Sequence, residues 1–315
     1  MRRNAHVKLN PWQKILYGMM FALCKAVAVL PYFVRYRILG NALYFLFHHC
    51  LHYRRRVIME NLRTSFPERS EEELREICRR FYLTLADIII DTLSMAAMSD
   101  EECRRHIIFE NGEQVAEATR GRGFVGLLAH FGCWEYCQFW GLAFPWQTSI
   151  SVYHPLENPV FEKLFRRLRR RTGAVTIPKE ELMRFYLHHR YTGYEGTDMA
   201  LGLIADQSPH VYAGSHWFRF LNHDTVFYEG GAKIAVKCNV PVYFLCLERV
   251  RRGYYTTRCE MLYDGQEPIT EVEITERYVR RLEQMIRRTP ELWLWSHRRW
   301  KHRKPSERET YGTAE

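Results

Sequence analysis

Residues 124–137 read FVGLLAHFGCWEYC. The run 124–129 is apolar, uncharged and too short for a buried helix, so it predicts a strand covered on both faces. It ends at His130. Gly132 permits a sharp turn or a close approach of another chain just beyond it, and 134–144 has the composition of a following helix. A strand feeding a helix is half of an α/β unit, and open α/β sheets place their ligands at the carboxyl ends of strands. A histidine there, with Glu135 five residues on, has two readings. It can be a packed imidazole beside a glutamate that complements the helix dipole. It can also be a base. A carboxylate on one ring nitrogen fixes the tautomer, leaves the other nitrogen to accept a proton and stabilises the imidazolium that results. A substrate hydroxyl then serves as nucleophile, with no serine or cysteine required.

Working outward, strands and helices alternate. Strands are predicted at 149–153, 174–177, 201–205, 240–247 and 254–263. Helices are predicted at 159–171, 180–189, 228–238 and 270–288. Thr289-Pro290 supplies an N-cap and a first helical position near the C-terminus, and Asn158-Pro159 an N-cap and a first-turn proline. The helix that follows is expected to bury Phe161, Leu164, Phe165 and Leu168 while presenting Arg166, Arg167, Arg169, Arg170 and Arg171. Such a run is ordinarily a solvated face. Asp206 and Gln207 follow an apolar strand, where they read either as a turn or as site lining. Upstream, 54–98 is helical: Ser70 and Glu73 have capping-box spacing, and Leu74, Ile77, Cys78, Phe81, Leu85 and Ile88 share a face.

The N-terminal segment 15–34, ILYGMMFALCKAVAVLPYFV, carries Lys25 as its one charge. About 20 apolar residues suffice to cross a bilayer. Lys25, Pro31 and a second apolar stretch at 38–51 weaken a simple span. A retained anchor or interfacial helix is favoured over a core helix or a signal peptide cleaved near Ala26-Val27-Ala28. A formal net charge of +10 calls for an anionic partner: nucleic acid, membrane, acidic protein or phosphorylated substrate. Nine cysteines form no disulfide framework and suit a reducing compartment. Cys133 and Cys137 have no second pair at zinc spacing, so no metal site is expected.

HFGCWE resembles the H-x4-D/E box of glycerolipid and lysophospholipid acyltransferases, and its Glu form is similar to that of the lipid A biosynthesis late acyltransferases. Four further blocks agree in order. RRRVIMENLRTSFPE (54–68) resembles that family's Asn-Leu-x3-Phe-Pro segment. NPVFEKLFRRLRRRTG (158–173) resembles its Asn-Pro helix, with Arg169 four before Gly173. ADQSP (205–209) is similar to its Asp-Gln turn, and PELWLWSHRRWKHR (290–303) to its Trp-x-His-Arg-Arg block. The likeness covers roughly 10–305. Two departures are Cys133, where the family often carries Asn, and 216–232, where the usual Phe-Phe-Gly pattern is only loosely present.

The resemblance implies an α/β fold: a glycerolipid acyltransferase-like central mixed sheet covered by helices, with N-terminal apolar membrane-associated helices. It divides the chain into a membrane-anchoring region (1–50), an acyltransferase domain (51–305) and a polar tail (306–315). It further implies transfer of a fatty acyl chain from an acyl carrier protein thioester to a hydroxyl of a lipid A precursor, at the cytoplasmic side of the cell inner membrane. No cofactor held by the enzyme is implied. His130 is then the general base oriented by Glu135, and Arg169, Asp206 and Gln207 contact substrate. The alternatives are O-acylation of another lipid, such as a lyso-ornithine lipid or a glycolipid, or a non-catalytic basic nucleic-acid-binding protein. The second draws on the Trp-rich basic tail, yet no nucleic-acid-binding motif supports it.

Overall fold

A computed structural model describes residues 7–212 and 214–304; the tail at 306–315 lies outside them. Among the described residues nine strands form: β1 Ile107–Phe109, β2 Phe124–Leu128, β3 Gln147–Tyr153, β4 Val175–Pro178, β5 Asp198–Ile204, β6 Phe218–Phe220, β7 His223–Thr225, β8 Val242–Arg251 and β9 Tyr254–Tyr263. Seven of them make one sheet in the order β1-β9-β8-β2-β5-β3-β4, and β6 pairs with β7. Every pairing in the large sheet is parallel except β8 with β9. The sheet is therefore mixed, as expected. β2 lies at its centre and is buried along its whole length, which is why its sequence shows no polar alternation.

Helices cover both faces. α1 (Pro11–Ala28) leads to an apolar segment, Phe33–Cys50, wound mainly as π-helix around α2 (Asn41–Phe45). α3 (Arg55–Ser65) and α4 (Glu71–Ser94) follow, then α5 (Asp100–His106) and α6 (Gly112–Ala118). α7 (Trp140–Ala143), α8 (Pro159–Arg170), α9 (Leu182–His189) and α10 (Gly230–Cys238) lie between strands, and α11 (Glu271–Arg288) follows the last one. Two of the three sequence-predicted caps form. Ser70 Oγ accepts from the Glu73 N–H while Glu73 accepts from the Ser70 N–H, and Asn158 Oδ1 accepts from the Val160 N–H.

The structure corrects four expectations. Residues 134–139 wind as a 3-10 helix before α7, not as continuous α-helix. The turn at Pro290–Leu292 is only three residues long, and Thr289 makes no side-chain cap. On α8, Phe161 is exposed, and Glu162 takes the buried place, accepting from the Tyr153 hydroxyl (2.6 Å) and the Leu156 N–H (3.0 Å). Trp293 and Trp295 are buried, and Trp300 stacks on His223 at 4.1 Å. The tail's tryptophans pack against the core, Trp300 partly, instead of standing out as a platform for stacked bases. The strands β1, β6 and β7 are too short to announce themselves by periodicity.

At the N-terminus no single helix among the described residues is long and apolar enough to cross a membrane. Pro11–Ala28 and Phe33–Cys50 pass that test only as a pair bent by 118°. α1 buries Cys24 and Val27 against α4 and α8. Trp12, Met19, Leu23, Val29, Phe33 and Phe45 remain exposed.

Asp91 anchors this region to the sheet. The carboxylate accepts from the Tyr36 hydroxyl (2.6 Å) and the Tyr255 hydroxyl (3.0 Å), joining the π-wound segment, α4 and β9. Gly253, in the β8–β9 turn, approaches so closely that a Cβ there would meet the Tyr36 hydroxyl. Complete burial raises Asp91 from 3.8 to about 7. A carboxyl raised on folding contributes stability below its unfolded value, and loses that contribution as pH rises through the folded value. Asp91→Asn is therefore expected to flatten the decline in Tm between about pH 4 and about pH 8. An unchanged slope in a pH series of thermal melts would contradict this.

Candidate active site

β2 and β5 are adjacent and parallel, with Leu128 opposite Ile204. Two residues beyond each lie His130 and Asp206, so the register itself brings them together. The Ala205 N–H donates to Leu128 O (3.1 Å), carrying the ladder one step further. Asp206 Oδ2 then accepts from the His130 backbone N–H (2.9 Å) and Oδ1 meets His130 Nδ1 at 2.7 Å. Trp293 Nε1 also donates to Oδ2, at 2.8 Å. An ionised carboxylate only accepts, so Nδ1 carries the proton and Nε2 presents a lone pair. Gln207 Nε2 lies 3.1 Å from it. Burial tends to raise Asp206, but the His130 ring and the donated hydrogen bonds outweigh it and hold the carboxyl below its ordinary value.

Glu135 is elsewhere. Its two oxygens accept from Arg169 Nε (2.9 Å) and Nη2 (2.5 Å) in a forked pair between the 3-10 helix and α8. The carboxylate bonded to the imidazole is Asp206, 76 residues away, and the expectation that Glu135 orients His130 is corrected accordingly. The physical reason is twofold: strand register delivers Asp206 to Nδ1, and the tighter 3-10 winding turns Glu135 to a bidentate cation. Burial raises Glu135, yet the charge and hydrogen bonds of Arg169 dominate and leave it lowered. Arg169 is raised, the glutamate outweighing the opposite push of burial.

The C-terminal block closes the site from below. Leu294 N–H donates to His130 O (3.0 Å) and Gly132 N–H to Leu292 O (2.9 Å). Gly132 has φ +52°, and a Cβ there would lie 2.8 Å from Tyr255, so this turn requires glycine. Asn61 Nδ2 donates to the carbonyls of Trp295 (2.9 Å) and His297 (3.0 Å). The blocks around 61 and 293 are thus a brace for the histidine loop. Trp293, which the sequence offers only as one indole of a basic tail, donates to Asp206 because the C-terminal block folds against the histidine loop.

His130, Glu135, Arg169 and Gln207 all line one cavity of about 910 Å³, largely apolar. Side chains alternate across a strand, so Phe124, Gly126 and Leu128 share one face with Ala200, Gly202 and Ile204. Gly126 pairs with Gly202, and Gly202 with Ser151. A shallow trough of small residues therefore crosses β2, β5 and β3 from below the histidine to Phe124, whose ring meets Trp140 edge-on. Trp134 lies edge-on to His130 at 4.7 Å. The five sequence-predicted residues divide between two connected groups, His130–Asp206–Gln207 and Glu135–Arg169.

His130 and Asp206 thus lie beside an apolar trough at the ends of two parallel strands. A family model described as bacterial lipid A biosynthesis acyltransferase matches residues 7–302. The chain belongs to that family. It is 24% identical over 262 residues to the lipid A biosynthesis palmitoleoyltransferase of Escherichia coli (strain K12), covering 82% of each chain. It is 25% identical over 143 residues to the lipid A biosynthesis myristoyltransferase of the same organism, covering 45% of this chain and 44% of that one. A lipid A biosynthesis acyltransferase 1 of Shigella flexneri gives the same coverage, so those two alignments span less than half of the relatives' length. Within this acyltransferase family, the His130 box, the Asp206 turn and the Arg169 helix all fall inside the matched region.

Proposed function

We propose that this protein transfers a fatty acyl chain from an acyl carrier protein thioester to a hydroxyl of a lipid A precursor, as a secondary acylation, with His130 as general base. The observation that carries the reading is the His130–Asp206 contact at the mouth of an apolar cavity. The acceptor hydroxyl donates to Nε2, displacing the Gln207 amide. Its oxygen attacks the thioester carbonyl as the proton passes to the ring. Asp206, held ionised, stabilises the imidazolium. The tetrahedral intermediate collapses, the C–S bond breaks, and the imidazolium returns the proton to the departing thiolate. The products are an ester and a free thiol. The Glu135–Arg169 pair walls the cavity beside this path.

The acyl chain is assigned to the small-residue trough. A Cβ on Gly202 would lie 3.5 Å from Leu128 Cδ1, so a side chain fits there and would project into the trough. Gly202→Val is expected to reduce kcat/KM for the longest accepted donor by roughly ten- to hundredfold while sparing shorter ones. Equal losses across a donor-length series would remove the assignment.

The exposed apolar side of residues 12–51 supports residence on a membrane, in this reading the cytoplasmic face of the inner membrane. The bend and the packing of α1 on α4 and α8 favour a segment lying in one leaflet over a simple span. The deciding experiment offers purified protein an acyl carrier protein thioester and a lipid A precursor, with mass spectrometry of the products. One added acyl chain bearing an ester supports the proposal. Thioester consumption only with another lipid acceptor would replace lipid A in it.

A further inference from the structure

α8 presents two basic faces. Arg169 turns toward the catalytic cavity, whereas Lys163, Arg167 and Arg170, at helical spacing, turn toward α1. There they line a second recess of about 440 Å³, together with Tyr17, Arg166 and Arg171. The recess is independent of the first cavity. Arg167 Nη1 donates to the Tyr17 hydroxyl at 3.2 Å and its guanidinium lies 4.0 Å over Phe21. Lys163 Nζ sits 5.0 Å from the Tyr17 ring.

The carboxylates are the telling feature. All five arginines of α11 reach one: Arg277 to Glu267, Arg280 to Glu276, Arg281 to Glu260, Arg287 to Glu283 and Arg288 to Glu248. Among the described residues, no carboxylate lies within 4.0 Å of the charged groups of Lys163, Arg167, Arg170 or Arg171; Arg166 approaches Glu162 at 3.9 Å. Like charges gathered around a recess repel and cost stability unless an anion joins them. Favourable interaction with a helix C-terminus accounts for cations in the last turn, but not for Lys163 in the second turn of α8.

We infer that this recess binds the phosphate of an anionic lipid headgroup, holding the protein on its membrane beside the exposed apolar side of α1. The inference rests on the membrane reading above. Lipid phosphate is favoured over an acidic protein surface for two reasons. The site is an open recess between α1 and α8 that groups its cations around one point, and one wall belongs to the helix that exposes Trp12, Met19 and Leu23. Guanidinium groups match phosphate oxygens in pairs.

The test measures cosedimentation of the full chain with vesicles of phosphatidylcholine alone or mixed with phosphatidylglycerol. Lys163→Gln/Arg170→Gln leaves the Arg167–Tyr17 contact intact; a triple variant adds Arg167→Gln. At roughly a fivefold effect per charge near a membrane surface, the double variant should bind anionic vesicles about twenty- to thirtyfold more weakly. The triple should lose on the order of a hundredfold. Binding to neutral vesicles and to acyl carrier protein should not change. Undiminished binding of both variants to anionic vesicles overturns the proposal. So does a loss confined to acyl carrier protein, equal loss on neutral vesicles, or tight capture of inorganic phosphate without any preference for anionic vesicles. None of these readouts needs turnover, so failure here is separable from failure of the acyl-transfer reading.

Discussion

His130→Ala is expected to lower kcat/KM for acyl transfer by about 10²- to 10⁴-fold, the usual worth of a positioned base. Its side chain is partly buried, but its one strong partner is Asp206, so folding should survive. Asp206→Asn should cause a comparable loss by a different route. The carboxylate serves three donors: the His130 backbone N–H, the His130 ring and the Trp293 indole. An amide has one acceptor oxygen and cannot serve both Oδ1 and Oδ2 roles. Its NH₂ facing Nδ1 would favour the tautomer with the proton on Nε2, where the substrate hydroxyl needs a lone pair. Steady-state kinetics with circular dichroism on both variants decides the matter. Turnover within threefold of the parent in a folded Asp206→Asn protein would eliminate the proposed role.

The second large effect concerns stability. Glu135→Ala strands the Arg169 guanidinium, whose side chain is only 18% exposed, beside a cavity without its carboxylate. Breaking one side of a buried ion pair costs about 3–5 kcal/mol. Replacing both partners, as Glu135→Gln/Arg169→Met, should recover most of that loss because the uncompensated charge is gone. Urea unfolding in detergent separates the cases. A Glu135→Ala protein as stable as the parent would show that the pair contributes nothing net. The pH dependence has a definite sign. Glu135 is held below its ordinary value of 4.5, so its contribution is complete above that value. It is lost as pH falls through the lower folded one. Inactivity of Glu135→Ala alone would therefore not identify Glu135 as the partner of the histidine, since the variant also loosens the wall of the site.

The nucleic-acid reading loses its main support to packing. The tryptophans that suggested stacked bases pack inward: Trp295 is buried, its Nε1 donating to Pro290 O, and the half-buried Trp300 donates from Nε1 to Thr225 Oγ1. Arg299 is buried too, donating to Val226 O at 2.6 Å. Burial lowers it to about 10, against the opposite pull of Asp206. Composition could not reveal this, because an indole in a basic stretch looks alike whether it faces solvent or core.

The central strand was legible because burial on both faces leaves an uninterrupted apolar run, and His130 because such a run ends on it. The Ser70–Glu73 capping box, the Asn-Pro helix start and the strands that became β8 and β9 were legible from local patterns too. Proximity in sequence suggested Glu135 as the partner of His130, since spacing along the chain is all that a sequence displays. The actual partner was fixed by the hydrogen-bonded register of two parallel strands, Leu128 opposite Ile204. That register is a relation between segments 76 residues apart, set by sheet packing as a whole. Local residue types therefore determined which groups this protein has for its chemistry. Only the tertiary fold decided which carboxylate holds the imidazole and which holds the arginine.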